Sequence, residues 1–278
     1  MMMSEGRRLI LHVGVQKTGT TSIQRFLKLR ASELADCLIV RTPEEGTPMR
    51  PLGRAAVALS LSGQKDDREA LRAAFDDVLD TVPDGPQPVI LSHENLAGAM
   101  PGNGGETRLY PALPRILKIL DKSAQARGFS CDVVLYTRQM LSWRPSVWAQ
   151  AVRTDGYAGT FEEFMEATAD LPEWDDLVDR VRAVLGPDRV TRLRLEEETD
   201  LERPGRQLLA HAGIEAARID ALAPLEDAAM KRLNGGSTEF LRQVNALALN
   251  PHARGRIADL VARTQHLFTA DAPSEGTL

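Results

Sequence analysis

One stretch near the start of the chain concentrates groups that could hold an anion: Gly14-Val15-Gln16-Lys17-Thr18-Gly19-Thr20-Thr21. Its two glycines permit left-handed or close-approach backbone, Lys17 brings a full positive charge, and the threonines add hydroxyl donors. Lysine is scarce here, six residues against 28 arginines, which makes one at such a position informative. The flanks indicate how the loop is positioned. Leu9-Ile10-Leu11-His12-Val13 is a short apolar run closed by Gly14, which predicts a buried strand. From Thr20, the residues Ile23, Phe26, Leu27 and Leu34 recur at helical spacing, with threonine and serine available as N-cap. A strand turning directly into a helix gathers unpaired N–H groups and the positive end of the helix dipole at one spot, which suits an anion. On residues alone, an ordinary strand-to-helix turn is the competing interpretation.

The same strand-then-helix rhythm runs on. Cys37-Leu38-Ile39-Val40 predicts a second strand, residues 44–51 a loop, and residues 53–82 helices. Pro88-Val89-Ile90-Leu91-Ser92 reads as a strand covered on both faces, ending at His93-Glu94. Residues 97–107 (AGAMPGNGGET) form a glycine-rich segment read as a mobile loop able to serve substrate entry, followed by a helix over 109–127. Cys131 to Tyr136 predicts the next strand, ending at Thr137-Arg138, and Val190 to Leu195 a weaker last one. Strands alternating with helices imply a parallel sheet of four to five strands. Beyond Gly213 only amphipathic helices are predicted, at 237–249 and 253–268. The expected organisation is a single domain: an α/β core over 7–213, a helical extension over 214–270 and a disordered end at 271–278.

Composition narrows the function classes. With 278 residues, 43% hydrophobic and 26% charged, the chain is globular in type. A net charge of −5 offers no basic field for a nucleic-acid backbone, so nucleic acid is excluded as a partner and any anion must be held by local cations and N–H groups. The early apolar run is too short for a membrane span and has no cleavage site, which leads to a cytoplasmic expectation. Cys37 and Cys131 are expected to be reduced core residues, and no histidine, cysteine or carboxylate cluster has metal spacing. His12 reads as a strand residue. The oligomeric state is left open.

The loop is not a Walker A loop, whose lysine follows the second glycine, whereas Lys17 precedes Gly19. A lysine-threonine-glycine-threonine-threonine loop after the first strand instead resembles the 5′-phosphosulfate-binding loop of sulfotransferases that use 3′-phosphoadenosine 5′-phosphosulfate (PAPS). The resemblance implies a three-layer, P-loop NTPase-like α/β fold, with PAPS as co-substrate and adenosine 3′,5′-bisphosphate (PAP) as product. Gln16, Lys17, Thr18, Gly19, Thr20 and Thr21 would form the binding loop. It also implies an arginine at the end of a later strand and a serine eight residues on, both holding the 3′-phosphate, and Arg138 and Ser146 match. The run VVLYTRQMLSWRPSVWAQ is similar to a group of bacterial sulfotransferase-like proteins through Arg138-Gln139, Ser146, Trp148 and Gln150. Arginine suits phosphate because its planar fork donates two parallel hydrogen bonds. Alone, Arg138 reads as a strand-end arginine in a surface ion pair, and Trp143 and Trp148 as core packing. Residues 232–236 (RLNGG) are loosely similar to a nucleotide-side segment of the bacterial proteins and depart from the arginine-lysine-glycine ending of the animal cytosolic enzymes.

Sulfuryl transfer needs charge neutralisation at the leaving phosphate oxygen, a role for Lys17, and a base for the acceptor proton near the carboxyl end of a central strand. Ser92-His93 matches the serine- or threonine-histidine pair of the animal enzymes and makes His93 the base. The bacterial relatives resemble serine-serine-glutamate and make Glu94 the base, the preferred reading. Each has a plainer interpretation, a hydrogen-bonded structural histidine and a helix-start carboxylate. No metal is required. The expected acceptor is a small molecule or carbohydrate, but no motif encodes its identity, and carbohydrate, lipid, small phenol and peptide acceptors all stay open. Two alternatives stand beside this reading, a P-loop nucleotide kinase or hydrolase and a non-catalytic nucleotide-binding module.

Overall fold

The most apolar strands form the middle of a five-stranded, all-parallel sheet of order β2-β3-β1-β4-β5 in a computed structural model of the chain, which describes residues 6–226 and 233–269. The elements of the α/β part are β1 (Arg7–Gly14), α1 (Thr20–Leu29), α2 (Ala31–Leu34), β2 (Ile39–Arg41), α3 (Met49–Ser62), α4 (Lys65–Asp80), β3 (Val89–Ser92), α5 (Leu113–Ala126) and β4 (Phe129–Thr137). The chain continues through α6 (Met140–Gln150), α7 (Phe161–Ala167), α8 (Trp174–Leu185), β5 (Val190–Arg194), α9 (Arg206–His211), α10 (Ala216–Ala221), α11 (Gly235–Asn245) and α12 (Pro251–Arg263). β1 is paired on both sides, Leu9 with Val89 and with Cys131, so every residue from Leu9 to Val13 is buried. Burial on both faces explains why β1, β3 and β4 read as apolar runs, whereas the edge strands β2 and β5 are partly exposed.

The pleat sends alternate residues to opposite faces. Ile10, Ile90, Val134 and Tyr136 meet Ile23, Phe26 and Leu27 of α1 together with Leu208, Leu209, Ile219 and Leu222. The α/β unit therefore takes in α9 and, beyond residue 213, α10. The alternating set, Leu9, Leu11, Val133 and Leu135, is equally buried on the other face, giving a three-layer arrangement in which α5 and α8 lie along β4 and β5.

Several expected boundaries move, for local reasons. β2 starts at Ile39 and not Cys37, because the Cys37 and Leu38 amides are taken by the carbonyl of Leu34 at 2.9 and 2.8 Å. Helix α3 begins at Met49 inside the expected loop, since Pro51 falls in its first turn, where no amide is needed. The helical stretch is split into α3 and α4 by Gly63 at φ 65. Residues 109–112 precede α5, and Tyr110 there takes φ 44.

Contacts group the chain into two compact units, one of Met1–Met100, Leu109–Met140 and Pro172–Ala229, the other of Pro101–Arg108, Leu141–Leu171 and Met230–Leu278. The second unit has its own core of Val152, Leu233, Leu241, Ala258 and Val261, against which Trp148, Tyr157 and Phe268 pack. Asn245 ties it internally, donating to the carbonyls of Val152 at 2.7 Å and Tyr157 at 3.0 Å. Helix α6 carries Pro145 and runs into a π-helical turn, Ala151–Asp155. A capping box of Thr160 and Glu163 starts α7, and Asn234 and Asn250 cap α11 and α12. The expected disordered end at 271–278, and Arg232 of the 232–236 segment, lie outside the described residues.

Candidate functional site

The loop between β1 and α1 is built around two left-handed residues. Gly19, at φ 80, is the N-cap of α1, in place of the threonine or serine expected there. Lys17 is also left-handed, at φ 71, a conformation that costs a residue with a side chain about 1–2 kcal/mol. The threonines supply the compensating support. Thr18, fully buried, donates its hydroxyl to the carbonyl of Val15 at 2.6 Å, and Thr20 donates to Gly14 at 3.2 Å. These two hydroxyls brace the loop from within. Thr21 is exposed at the first turn.

The start of the helix itself also offers a place for an anion. The Thr20 and Thr21 amides, like those at any helix start, have no intrahelical acceptor. No acidic residue occupies the first turn of α1, so its positive end is not neutralised from within the helix. Gly14 is required by close approach, since a Cβ there would lie 2.5 Å from the Thr20 hydroxyl oxygen and 2.9 Å from Nε2 of His12. Gln16 holds the loop's outer edge: its amide donates to Gly98 O at 3.1 Å and Asn95 Oδ1 at 3.3 Å, and its oxygen accepts from the Tyr110 hydroxyl at 2.7 Å.

Ser92 ends β3 and His93 and Glu94 follow it beside this loop, where the three side chains part. Ser92 lies 2.7 Å from Nδ1 of His12, a wholly buried histidine that desolvation pulls down to about 3 against the opposing pull of the Glu94 charge. His12 is therefore a neutral strand residue. His93 turns the other way, is buried, and seats its ring directly on Gly53 of α3. Its Nδ1 accepts from the Asn95 amide at 3.3 Å, which makes it the N-cap of the short turn Glu94–Ala97. Glu94 stays partly open on the side of α1, where Gln24 donates to its Oε2 at 2.8 Å. Burial works against its ionisation, but the His93 ring 3.6 Å away, its own backbone and Gln24 outweigh it and hold the carboxyl down at about 2.

Arg138, at the end of β4, reaches this corner. Its Nη1 lies 3.5 Å from the carbonyl oxygen of Lys17, so the loop and this guanidinium share one place in the α/β unit. The parallel register β1–β4 produces this, with Gly14 opposite Tyr136 two residues before Arg138. Ser146 belongs to the second unit, on α6, where its hydroxyl donates to Ser142 O at 3.0 Å. Trp143 is fully buried, and Trp148 donates to Gly159 O and stacks edge-on with Phe161.

Three residues around the corner are absent from the sequence reading. Gln24 lies one helical turn beyond Thr20, so α-helical spacing marks it. Trp174 and Glu196 touch the backbone at Arg138 from α8 and from the turn after β5, and no local pattern signals them. Among the described residues, no group of three or more histidine, cysteine, aspartate or glutamate side chains is placed to hold a metal, and no helix is long and apolar enough to cross a membrane.

No family model matches the chain, and no curated protein matches it. Among solved structures it is similar to a sulfotransferase from Alicyclobacillus acidocaldarius, at 16% identity and a TM-score of 0.48, over 96% of each chain.

Proposed function

We propose that this chain is a sulfotransferase that moves a sulfuryl group from PAPS to a hydroxyl or amine of a small-molecule or carbohydrate acceptor. The observation that carries the reading is the meeting of the Lys17 loop, at an unneutralised helix start, with the Arg138 guanidinium 3.5 Å from the Lys17 carbonyl. That corner fits a ligand with two anionic groups. The loop sequence resembles the phosphosulfate loop of PAPS enzymes, and Arg138 with its strand-end setting resembles the arginine that such enzymes use for the 3′-phosphate.

PAPS supplies an activated sulfuryl group, with PAP as the leaving group. The helix-start amides and Lys17 oppose charge that grows on the bridging phosphate oxygen as its bond to sulfur breaks. Arg138 fixes the nucleotide through a charged, forked contact, which is a positioning contribution. Of the two candidate bases, Glu94 is the one left accessible and ionised, while His93 is packed on Gly53 and capping a turn. A carboxylate held at about 2 is a weak base. It accepts the acceptor's proton late, once the forming bond to sulfur has made that proton acidic, and before then it orients the hydroxyl or amine.

Isothermal titration with PAP, PAPS and ATP plus magnesium tests the reading. The expected result is binding of PAP and PAPS with no preference for ATP, and preference for ATP transfers the chain to the kinase or hydrolase class. Lys17→Ala should abolish sulfate transfer with a smaller loss of PAP affinity, whereas Arg138→Ala should chiefly weaken PAP. Unchanged activity in both variants refutes the assignment.

A further inference from the structure

The peptide plane that follows Arg138 is held at both of its polar ends. Its carbonyl, on Arg138, accepts from the indole Nε1 of Trp174 at 2.6 Å, and its N–H, on Gln139, donates to Oε1 of Glu196 at 2.9 Å. Trp174 is buried at the start of α8, a rigid support, while Glu196 is exposed. Glu196 sits in the short turn Leu195–Glu197 that leaves β5, and this turn has further anchors. Leu195 lies against the loop, its Cδ1 2.9 Å from where a Cβ on Gly19 would stand. Glu198, buried, accepts from the Tyr136 hydroxyl at 2.5 Å and from the Gly205 amide at 3.3 Å. Burial, followed by the charge of Glu198, pushes the Tyr136 hydroxyl far above its usual range, so it stays a donor.

We infer that Trp174 and Glu196 are positioning residues that clamp the 138–139 peptide, and that the turn 195–198 is a strut linking that clamp to the Lys17–Gly19 loop. The physical reason is geometric. A side chain's direction follows the orientation of its own backbone, and Arg138 is the first residue past the end of β4. Two hydrogen bonds, one to each polar end of a single peptide unit, fix that orientation. The same turn touches the glycine that caps α1, so the loop and the guanidinium keep a fixed separation, as a ligand with two anionic ends requires. The role as a clamp for nucleotide binding rests on the reading above; the clamp itself does not.

The test compares Glu196→Ala, Glu196→Gln and Trp174→Phe in the full chain, with PAP as titrant and amide hydrogen exchange as a second readout. Glu196→Ala and Trp174→Phe should each weaken PAP about tenfold, the scale of one hydrogen bond involving a charged or buried partner. Glu196→Gln keeps the accepting oxygen and removes a negative charge near the anion, so it should bind at least as tightly as the unaltered chain. Exchange at residues 137–141 should quicken in the alanine variant and not in the glutamine variant. Unchanged PAP affinity in both Glu196→Ala and Trp174→Phe overturns the inference, as does equal loss in the alanine and glutamine variants. If the unaltered chain binds no PAP, the functional reading fails, and the clamp is then decided by exchange alone: unchanged exchange at 137–141 in Glu196→Ala overturns it.

Discussion

Replacing Gly53 with alanine sets two simple expectations against each other. Glycine inside a helix is worth about 1 kcal/mol less than alanine, so propensity alone makes Gly53→Ala stabilising. The structure reverses the sign. An added Cβ would stand 2.0 Å from Nε2 and 2.4 Å from Cε1 of His93. Ordinary contact needs about 3.5 Å, so the ring or the helix must shift by about 1.5 Å. His93 is only 3% exposed, leaving no solvent-filled space into which the ring can swing. Overpacking of this kind costs about 1–3 kcal/mol, and displacing the ring also removes the acceptor for the Asn95 amide, about 1 kcal/mol more. The net expectation is a loss of about 1–3 kcal/mol, a fall in midpoint of roughly 2–4 °C for each kcal/mol in a chain of this size. Urea and thermal unfolding measure it directly. A double-mutant cycle isolates the cause: with the ring removed in His93→Ala, the Gly53→Ala change should revert to stabilising by about 1 kcal/mol. A raised midpoint for Gly53→Ala in the unaltered background refutes the argument.

Thr18→Ala removes the hydroxyl that supports the left-handed Lys17. It should lower stability by about 1–2 kcal/mol in chemical unfolding and weaken PAP binding, and a variant matching the parent in both denies the bracing role. Glu94 provides a pH signature. Its folded value of about 2 lies below the ordinary 4.5, so its ionised form contributes stability that is full above about pH 5 and lost as pH falls toward 2. The pH-dependent part is at most about 3 kcal/mol. Unfolding curves of the parent and Glu94→Gln should therefore converge between pH 5 and pH 2, and a constant difference across that window contradicts the assigned value.

Sequence and tertiary structure decided different things about this protein. The order of strands and helices was legible because parallel strands buried on both faces must be apolar throughout, as in Leu9–Val13 and Val89–Ser92, and such runs stand out between helices of 3.6 periodicity. The candidate site around Lys17 stood out for a similar reason: its glycines, lysine and threonines are contiguous, so their proximity is covalent. The use made of each group did not. Thr18 and Thr20 carry hydroxyls that the sequence offers as ligands, and only the folded loop shows that they donate to the carbonyls of Val15 and Gly14. His93 and Glu94 are adjacent in sequence and chemically plausible alike. The seat on Gly53, forty residues away, is what buries one and leaves the other at the edge of α1. Arg138 approaches Lys17 through the β1–β4 register, and Trp174 and Glu196 reach its peptide from elements 36 and 57 residues further along the chain. Local pattern records what each residue offers. Which offers meet depends on strand order and register, which arise when the whole core closes.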